Sequence, residues 1–154
     1  MLIKPLNTAD IDFLIRTALE EDIRNGDITT RNIISPEQNC EAELIARETL
    51  VLSGLDIFKA LFHKLDSGTD FFHEPFKDGD LVEMSASIIK FRCRSVNALE
   101  GERSGLNILQ RMSGIATLTR KFVEKASPVT VLDTRKTTPG LRVYEKYAVS
   151  CGGG

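Results

Sequence analysis

The run Asp133-Thr-Arg-Lys-Thr-Thr-Pro-Gly-Leu-Arg142 gathers three cations and three threonine hydroxyls in one short stretch. Arg135 and Lys136 stand side by side, and Arg142 follows at the start of the next expected helix. Such a group suits a ligand carrying several negative charges, for example a dicarboxylate or a phosphorylated sugar, because guanidinium and ammonium donors make strong, charge-assisted hydrogen bonds to both. The preceding apolar run Pro128-Val-Thr-Val-Leu132 reads as a buried strand. The carboxyl edge of such a strand is where α/β proteins bind ligands. The competing reading is a solvated polar loop whose threonines cap the next helix. Arg142 and Lys146 are spaced i, i+4 with Glu145 within reach of Arg142, which gives these three residues a structural reading.

A second candidate lies upstream. Arg103, Asn107, Gln110 and Gly114 recur at i, i+4, i+7 and i+11 and form a polar stripe on one helix face. Either Arg103 projects from it into a ligand site or across a subunit boundary, or Glu102 and Arg103 are ordinary solvated charges. Asp22, Gly26 and Asp27 offer two carboxylates around a glycine, which is thin material for a metal site and fits a helix stop followed by a new cap. His63 and His73 lack the spacing of a zinc site, so structural roles are expected for both. The chain carries no GxSxG, Walker or GxGxxG motif, and Gly152-Gly-Gly154 reads as a turn.

The chain that must position these residues has 154 of them, 42% hydrophobic, which is enough for a core and argues against disorder. With 20 Lys and Arg against 22 Asp and Glu, the net charge of −2 supplies no global field for nucleic acid or an acidic membrane, so any anion site must be local. Cys40, Cys93 and Cys151 are odd in number and show no CxxC pairing, which fits reduced thiols in a cytoplasmic protein. The amino terminus, Met-Leu-Ile-Lys-Pro, runs straight into a capped helix without a cationic leader or a membrane-length apolar span.

Asn7 caps an expected first helix carrying Ile11, Leu14, Ile15, Ala18 and Leu19 on one face and ending near Asn25-Gly26. Ala42, Leu44 and Ala46 alternate with charged residues, and Leu50 and Leu52 extend this half-exposed strand or pair of strands to the break at Ser53-Gly54. Leu55 to Asp66 reads as a helix presenting Phe58, Leu61, Phe62 and Leu65. Asp70 to His73 and Leu81 to Phe91 read as strands about a turn at Lys77-Asp-Gly-Asp80. Asn97 to Lys125 is expected to be one long helix with Leu99, Leu106, Leu109, Met112, Ala116 and Phe122 near one face, and Gly101, Gly105 and Gly114 marking close packing or a bend. Strand Val129 to Asp133, the basic loop and helix Leu141 to Val149 then make the first half of a βαβ unit whose second strand is absent. The expected architecture is α/β: an α+β sandwich domain over residues 1–112, then the start of an α/β barrel over 113–154, as part of a longer chain.

Five blocks, Glu20 to Thr30, Gly101 to Gln110, Ser113 to Thr117, Asp133 to Arg142 and Lys146 to Gly154, together resemble the quinolinate phosphoribosyltransferases, also called nicotinate-nucleotide pyrophosphorylases. The resemblance spans the whole chain and about the first half of a family member. It implies an amino-terminal α/β sandwich joined to an open α/β barrel, and condensation of quinolinate with phosphoribosyl pyrophosphate to nicotinate mononucleotide, pyrophosphate and carbon dioxide in NAD synthesis. It implies Mg2+ bound with the phosphoribosyl donor, and a homodimer. Arg135 would bind a quinolinate carboxylate, Lys136 would act catalytically between quinolinate and the donor's phosphates, Thr134 would be a neighbouring hydrogen-bond donor, and Arg103 would reach the other subunit's active site. Cys93 and Val96 stand where the family often has Gly and Arg. The family's later His-Arg pair, a further substrate lysine and the acidic residues near ribose and magnesium have no counterpart here, so this chain alone is expected to be inactive. Two alternatives remain: a non-catalytic dimerisation module that pairs with full-length subunits, and the phosphoribosyltransferase-like protein associated with molybdate transport. The Thr-Pro-Gly-Leu-Arg and Lys-Tyr-Ala-Val runs favour the quinolinate enzyme over the latter.

Overall fold

The computed structural model describes residues 3–24 and 26–154; Met1, Leu2 and Asn25, the last of these at the expected end of the first helix, lie outside the described residues. Asn7 caps α1 (Thr8–Asp22) as its spacing suggested, its side chain accepting from the Asp10 amide at 2.8 Å. Asp27 caps a short α2 (Ile28–Ile33) by accepting from the Thr30 amide at 3.0 Å. The carboxylate pair around Gly26 is therefore a helix stop and a new cap.

β1 (Asn39–Ile45) pairs antiparallel with β5 (Ser87–Arg94), and the register explains the alternation in both. Cys40, Ala42 and Leu44 oppose Cys93, Phe91 and Ile89 on the core face. Glu41 and Glu43 oppose Arg92 and Lys90 on the other face and form ion pairs with them. A slip of one residue would put the charges in the core, so the pattern fixes the pairing. β3 (Asp70–His73) joins the far side of β5, and β2 (Leu50–Val51) with β4 (Leu81–Val82) forms a separate two-stranded sheet.

The expected strand Leu81 to Phe91 is thus two strands in two sheets. Ser85 takes a left-handed φ of 69°, and Ala46 clasps the reversal by accepting from the Ser85 amide and donating to Ala86 O. The turn at Lys77 to Asp80 forms as expected, with Gly79 at φ 93°. Its Asp78 carboxylate accepts from the amides of Gly54 and Leu55, capping the start of α3 (Leu55–Leu65) from a distance.

α4 (Ser95–Ala126) is a single helix of 32 residues, roughly 48 Å long at 1.5 Å per residue. Its buried stripe is built mainly of small residues, Gly101, Ser104, Gly105, Ser113 and Ala116, with Leu109 and Met112 among them. A Cβ on Gly101 would lie 2.9 Å from atoms of Phe62 and Leu65, and one on Gly105 would lie 3.1 Å from Phe58. These glycines let α3 press its phenylalanines onto α4, where the Phe58–Phe62 and Phe62–Phe91 rings pack at 4.8 and 4.7 Å. Leu99 and Phe122 depart from the expected face and stand about half exposed. Large apolar residues set the expected face, whereas the closest approach is made where side chains are smallest.

Residues 129–133 depart most from expectation. They form no strand, and Val129 and Leu132 are 68% and 78% exposed. A strand needs a neighbour for its amides and carbonyls, and none lies beside this segment among the described residues. The helix that follows, α5 (Arg142–Gly152), docks firmly on the body: Tyr144 donates to Asp10 O at 2.7 Å and Tyr147 to the Asp78 carboxylate at 2.8 Å. Gly152 lies so close to α4 that a Cβ there would sit 2.5 Å from Ala116 O, and Gly153 closes the helix at φ 95°. No helix among the described residues is long and apolar enough to cross a membrane.

Candidate functional site

Thr134, Arg135 and Lys136 lie on the exposed segment that leads into α5. Thr134 accepts from the Lys136 amide at 3.1 Å and keeps its own hydroxyl hydrogen free to donate. Around these residues the backbone is pinned by side chains of the following helix. Lys146 grips both oxygens of Asp133 at 2.6 Å, and Arg142 donates to Thr137 Oγ1 at 3.1 Å and reaches Arg135 O at 3.5 Å. Arg142 and Lys146 thus serve as structural tethers, in line with the plainer reading of their spacing.

Glu145 pairs not with Arg142 but with Arg111 of α4, at 2.5 Å. Arg142 is occupied with Thr137 Oγ1 and Arg135 O, while Arg111 rises from the facing helix and also donates to Thr138 Oγ1 at 2.6 Å. The Glu145 carboxylate accepts from the Thr138 amide at 3.1 Å as well. Burial pushes this carboxyl up, but the hydrogen bonds from Arg111 and Thr138 outweigh that and hold it below the ordinary glutamate range. The threonine side chains do not cap α5, whose N-cap position is held by Leu141 without a side-chain cap bond. They anchor the loop to two helices instead.

Asp133 and Glu145 are thus paired with Lys146 and Arg111, whereas neither Arg135 nor Lys136 has a carboxylate partner among the described residues. The loop presents two uncompensated cations and a free hydroxyl on a fixed backbone, which is an arrangement for gripping an anion. Arg103 is in a different place. It projects from α4, 75% exposed, and pairs with Asp22 of α1 at 2.7 Å, a contact that raises its already high pKa. Arg103 lies eight residues before Arg111, roughly 12 Å along the helix, and no hydrogen bond or ion pair links it to the loop among the described residues. Arg103, Asn107 and Arg111 line a cleft of about 380 Å³ between α1, α4 and α5. Their i, i+4, i+8 spacing was visible in the sequence, but the stripe drawn through Gln110 and Gly114 passed Arg111 by.

His63 packs edge-on against Phe71, and no cluster of three or more His, Cys, Asp or Glu side chains stands together among the described residues. All three cysteines are free; burial pushes the thiols of Cys93 and Cys151 up to about 12 and about 11, so both stay protonated and unreactive.

Two sequence models of the quinolinate phosphoribosyl transferase family match consecutive parts of the chain, the N-terminal domain over residues 27–113 and the C-terminal domain over 115–154. The chain belongs to the quinolinate phosphoribosyltransferase family. The matches meet inside α4, the helix that carries both Arg103 and Arg111. A probable nicotinate-nucleotide pyrophosphorylase (carboxylating) of Bacillus subtilis (strain 168) is 41% identical over 152 residues, 97% of this chain and 52% of the relative. The quinolinate phosphoribosyltransferase (decarboxylating) 1b of Nicotiana tabacum is 37% identical over 148 residues, 96% of this chain and 42% of its own length. The crystal structure of NadC from Streptococcus pyogenes superposes with a TM-score of 0.93 at 38% identity, over 98% of this chain and 54% of that one. The nicotinate-nucleotide pyrophosphorylase of Francisella tularensis gives 0.91 at 35% identity, over 100% and 55%. The chain thus spans about half the length of the family relatives it matches.

Proposed function

We propose that this protein, with the remainder of the length its relatives have, transfers the phosphoribosyl group of phosphoribosyl pyrophosphate to quinolinate and releases carbon dioxide. The observation that carries the reading is the tethered loop of Thr134, Arg135 and Lys136, with its two cations left without carboxylate partners in a chain of this family. A pyridine dicarboxylate needs at least two placed cations, and a fixed pair costs little reorganisation when it binds.

In this reading Arg135 holds a ring carboxylate, Thr134 donates to it, and Lys136 sits between the dicarboxylate and the donor's phosphates. The bond from C1′ to the pyrophosphate oxygen breaks with its electron pair leaving on pyrophosphate, and the ring nitrogen bonds to C1′. Lys136 opposes charge developing on the leaving group, and orientation of the two substrates supplies much of the rest. The ring nitrogen is then a cation. When the neighbouring carboxylate leaves as carbon dioxide, its bonding electrons stay on the ring carbon, stabilised by that nitrogen, until the carbon takes up a proton. No covalent nucleophile is required. Magnesium would accompany the donor's phosphates. The division at residues 112 and 113 into a sandwich and a barrel start belongs to the same reading, as does a location in the cytoplasm.

Arg103 serves the partner subunit's site in a homodimer. Within one chain Arg103 pairs with Asp22 and makes no hydrogen bond or ion pair to the loop among the described residues, which supports this role. The test is complementation in the full-length protein. Arg103→Ala and Lys136→Ala are each expected to abolish formation of nicotinate mononucleotide, and mixed subunits to recover about a quarter of wild-type activity, since half the dimers are mixed and each restores one site of two. Absence of product from the wild-type protein would overturn the reading of the reaction. Product from the wild type without recovery on mixing would overturn the role of Arg103.

A further inference from the structure

The segment that carries Arg135 and Lys136 has no strand pairing and is largely exposed, features that ordinarily go with backbone motion. Its tethers from Arg142 and Lys146 come from the helix it runs into, so they hold the loop to α5 but not to the rest of the molecule. Arg111 is different. It stands on α4 and takes hold of the loop through Thr138 Oγ1 and of α5 through Glu145, while Glu145 takes the Thr138 amide. Thr138 is thereby gripped at both its hydroxyl and its backbone nitrogen, and Thr138 O accepts from the Leu141 amide at 3.0 Å.

We propose that Arg111 and Glu145 are positioning residues for the anion-binding loop: their ion pair clamps Thr138 between α4 and α5 and so sets the direction of Arg135 and Lys136 before the dicarboxylate arrives. This deepens the function proposed above and rests on it. The clamp also solves a charge problem. Glu145 is a carboxylate at the base of a site for a dianion, and paired with Arg111 it presents little negative charge to the ligand. Removing Arg111 therefore harms binding twice, by releasing the loop and by uncovering Glu145. Removing both partners leaves only the first effect, so the two substitutions must be strongly non-additive.

The test is calorimetric titration of quinolinate into the full-length protein and its Arg135→Ala, Arg111→Met, Arg111→Lys, Glu145→Gln and Arg111→Met/Glu145→Gln variants, with thermal midpoints measured alongside. Arg111→Met is expected to raise Kd on the order of tenfold, as loss of a charged hydrogen-bond partner does, with the thermal midpoint close to wild type. Arg111→Lys is expected to recover most of that loss, and the double variant to bind better than the product of the single effects predicts. A purely structural role would lower the thermal midpoint and leave Kd in place, and that outcome overturns the clamp. Wild-type affinity in Arg111→Met together with weak binding in Arg135→Ala overturns the clamp alone. Wild-type affinity in Arg135→Ala overturns the reading of the loop and the clamp with it. Should Arg111→Met fail to fold, Glu145→Gln carries the same comparison with little change in shape.

Discussion

The sheet, α3 and the first half of α4 are held by apolar contact, whereas the segment from Val129 to Leu141 is held by hydrogen bonds and ion pairs to its neighbours. In the first region phenylalanines meet glycines, so closely at Gly101 that a Cβ there would lie 2.9 Å from Phe62 and Leu65. In the second the apolar side chains Val129 and Leu132 point to solvent, and order comes from Arg111, Arg142, Glu145 and Lys146. The contrast separates two jobs. A tightly packed face resists any change of shape, which suits a scaffold, while a backbone pinned by polar groups leaves selected side chains free, which suits a site. Substitutions in the first region should act on stability, and those in the second on binding.

The largest expected effect falls at the junction of α3, α4 and β5. Phe62 is 2% exposed and packs against the rings of Phe58 and Phe91, so Phe62→Ala should cost about 3–5 kcal/mol in urea unfolding through lost burial and a cavity. A cost below 1 kcal/mol would mean that the apolar region is no scaffold. Next come two glycines of the same helix with opposite expected signs. Gly101→Val forces a side chain into Phe62 and Leu65 and should destabilise by about 1–3 kcal/mol. Gly114 has nothing within 4 Å of its missing Cβ, so Gly114→Ala should stabilise α4 by about 0.5–1 kcal/mol through helix propensity. Equal effects at the two sites in chemical denaturation would erase the distinction between packing and propensity.

A smaller effect is expected from acid. The Glu145 carboxyl titrates below its unfolded value, so its contribution is complete above the ordinary glutamate pKa of about 4.3 and is lost as pH falls through the lower folded value. The small difference in thermal midpoint expected between wild type and Glu145→Gln should therefore shrink further as pH drops through that window. A difference that grows in acid would show that Glu145 is not held as an anion.

Much of the scaffold was legible because its signals are local. The Asn7 cap, the alternation along β1 and the phenylalanine face of α3 each depend on residues a few positions apart, and each formed as its spacing implies. What escaped depends on partners distant in the chain. Alternation from Leu81 to Phe91 reports a buried face but not a change of sheet, which is decided by Ala46 bonding across the turn at Ser85. Leu99 and Phe122 looked like core residues because size was read as burial, although α4 is seated through Gly101 and Gly105. The apolar run before Asp133 carries a strand signal that only a neighbouring strand can realise. The residues of the candidate site were legible as a motif, but the clamp that fixes them was not. The Arg111 contact spans 27 residues to Thr138 and 34 to Glu145.

In the proposed function the segment held by polar tethers is the carboxylate-binding part of the site. The most direct measurement is quinolinate affinity of the full-length protein against its Arg135→Ala variant, with unfolding followed on the same samples. Loss of the cation that pairs with a ligand carboxylate predicts binding weaker by about thirtyfold or more, with stability changed by no more than about 0.5 kcal/mol. Unchanged affinity, or a loss of affinity matched by unfolding, would contradict the claim.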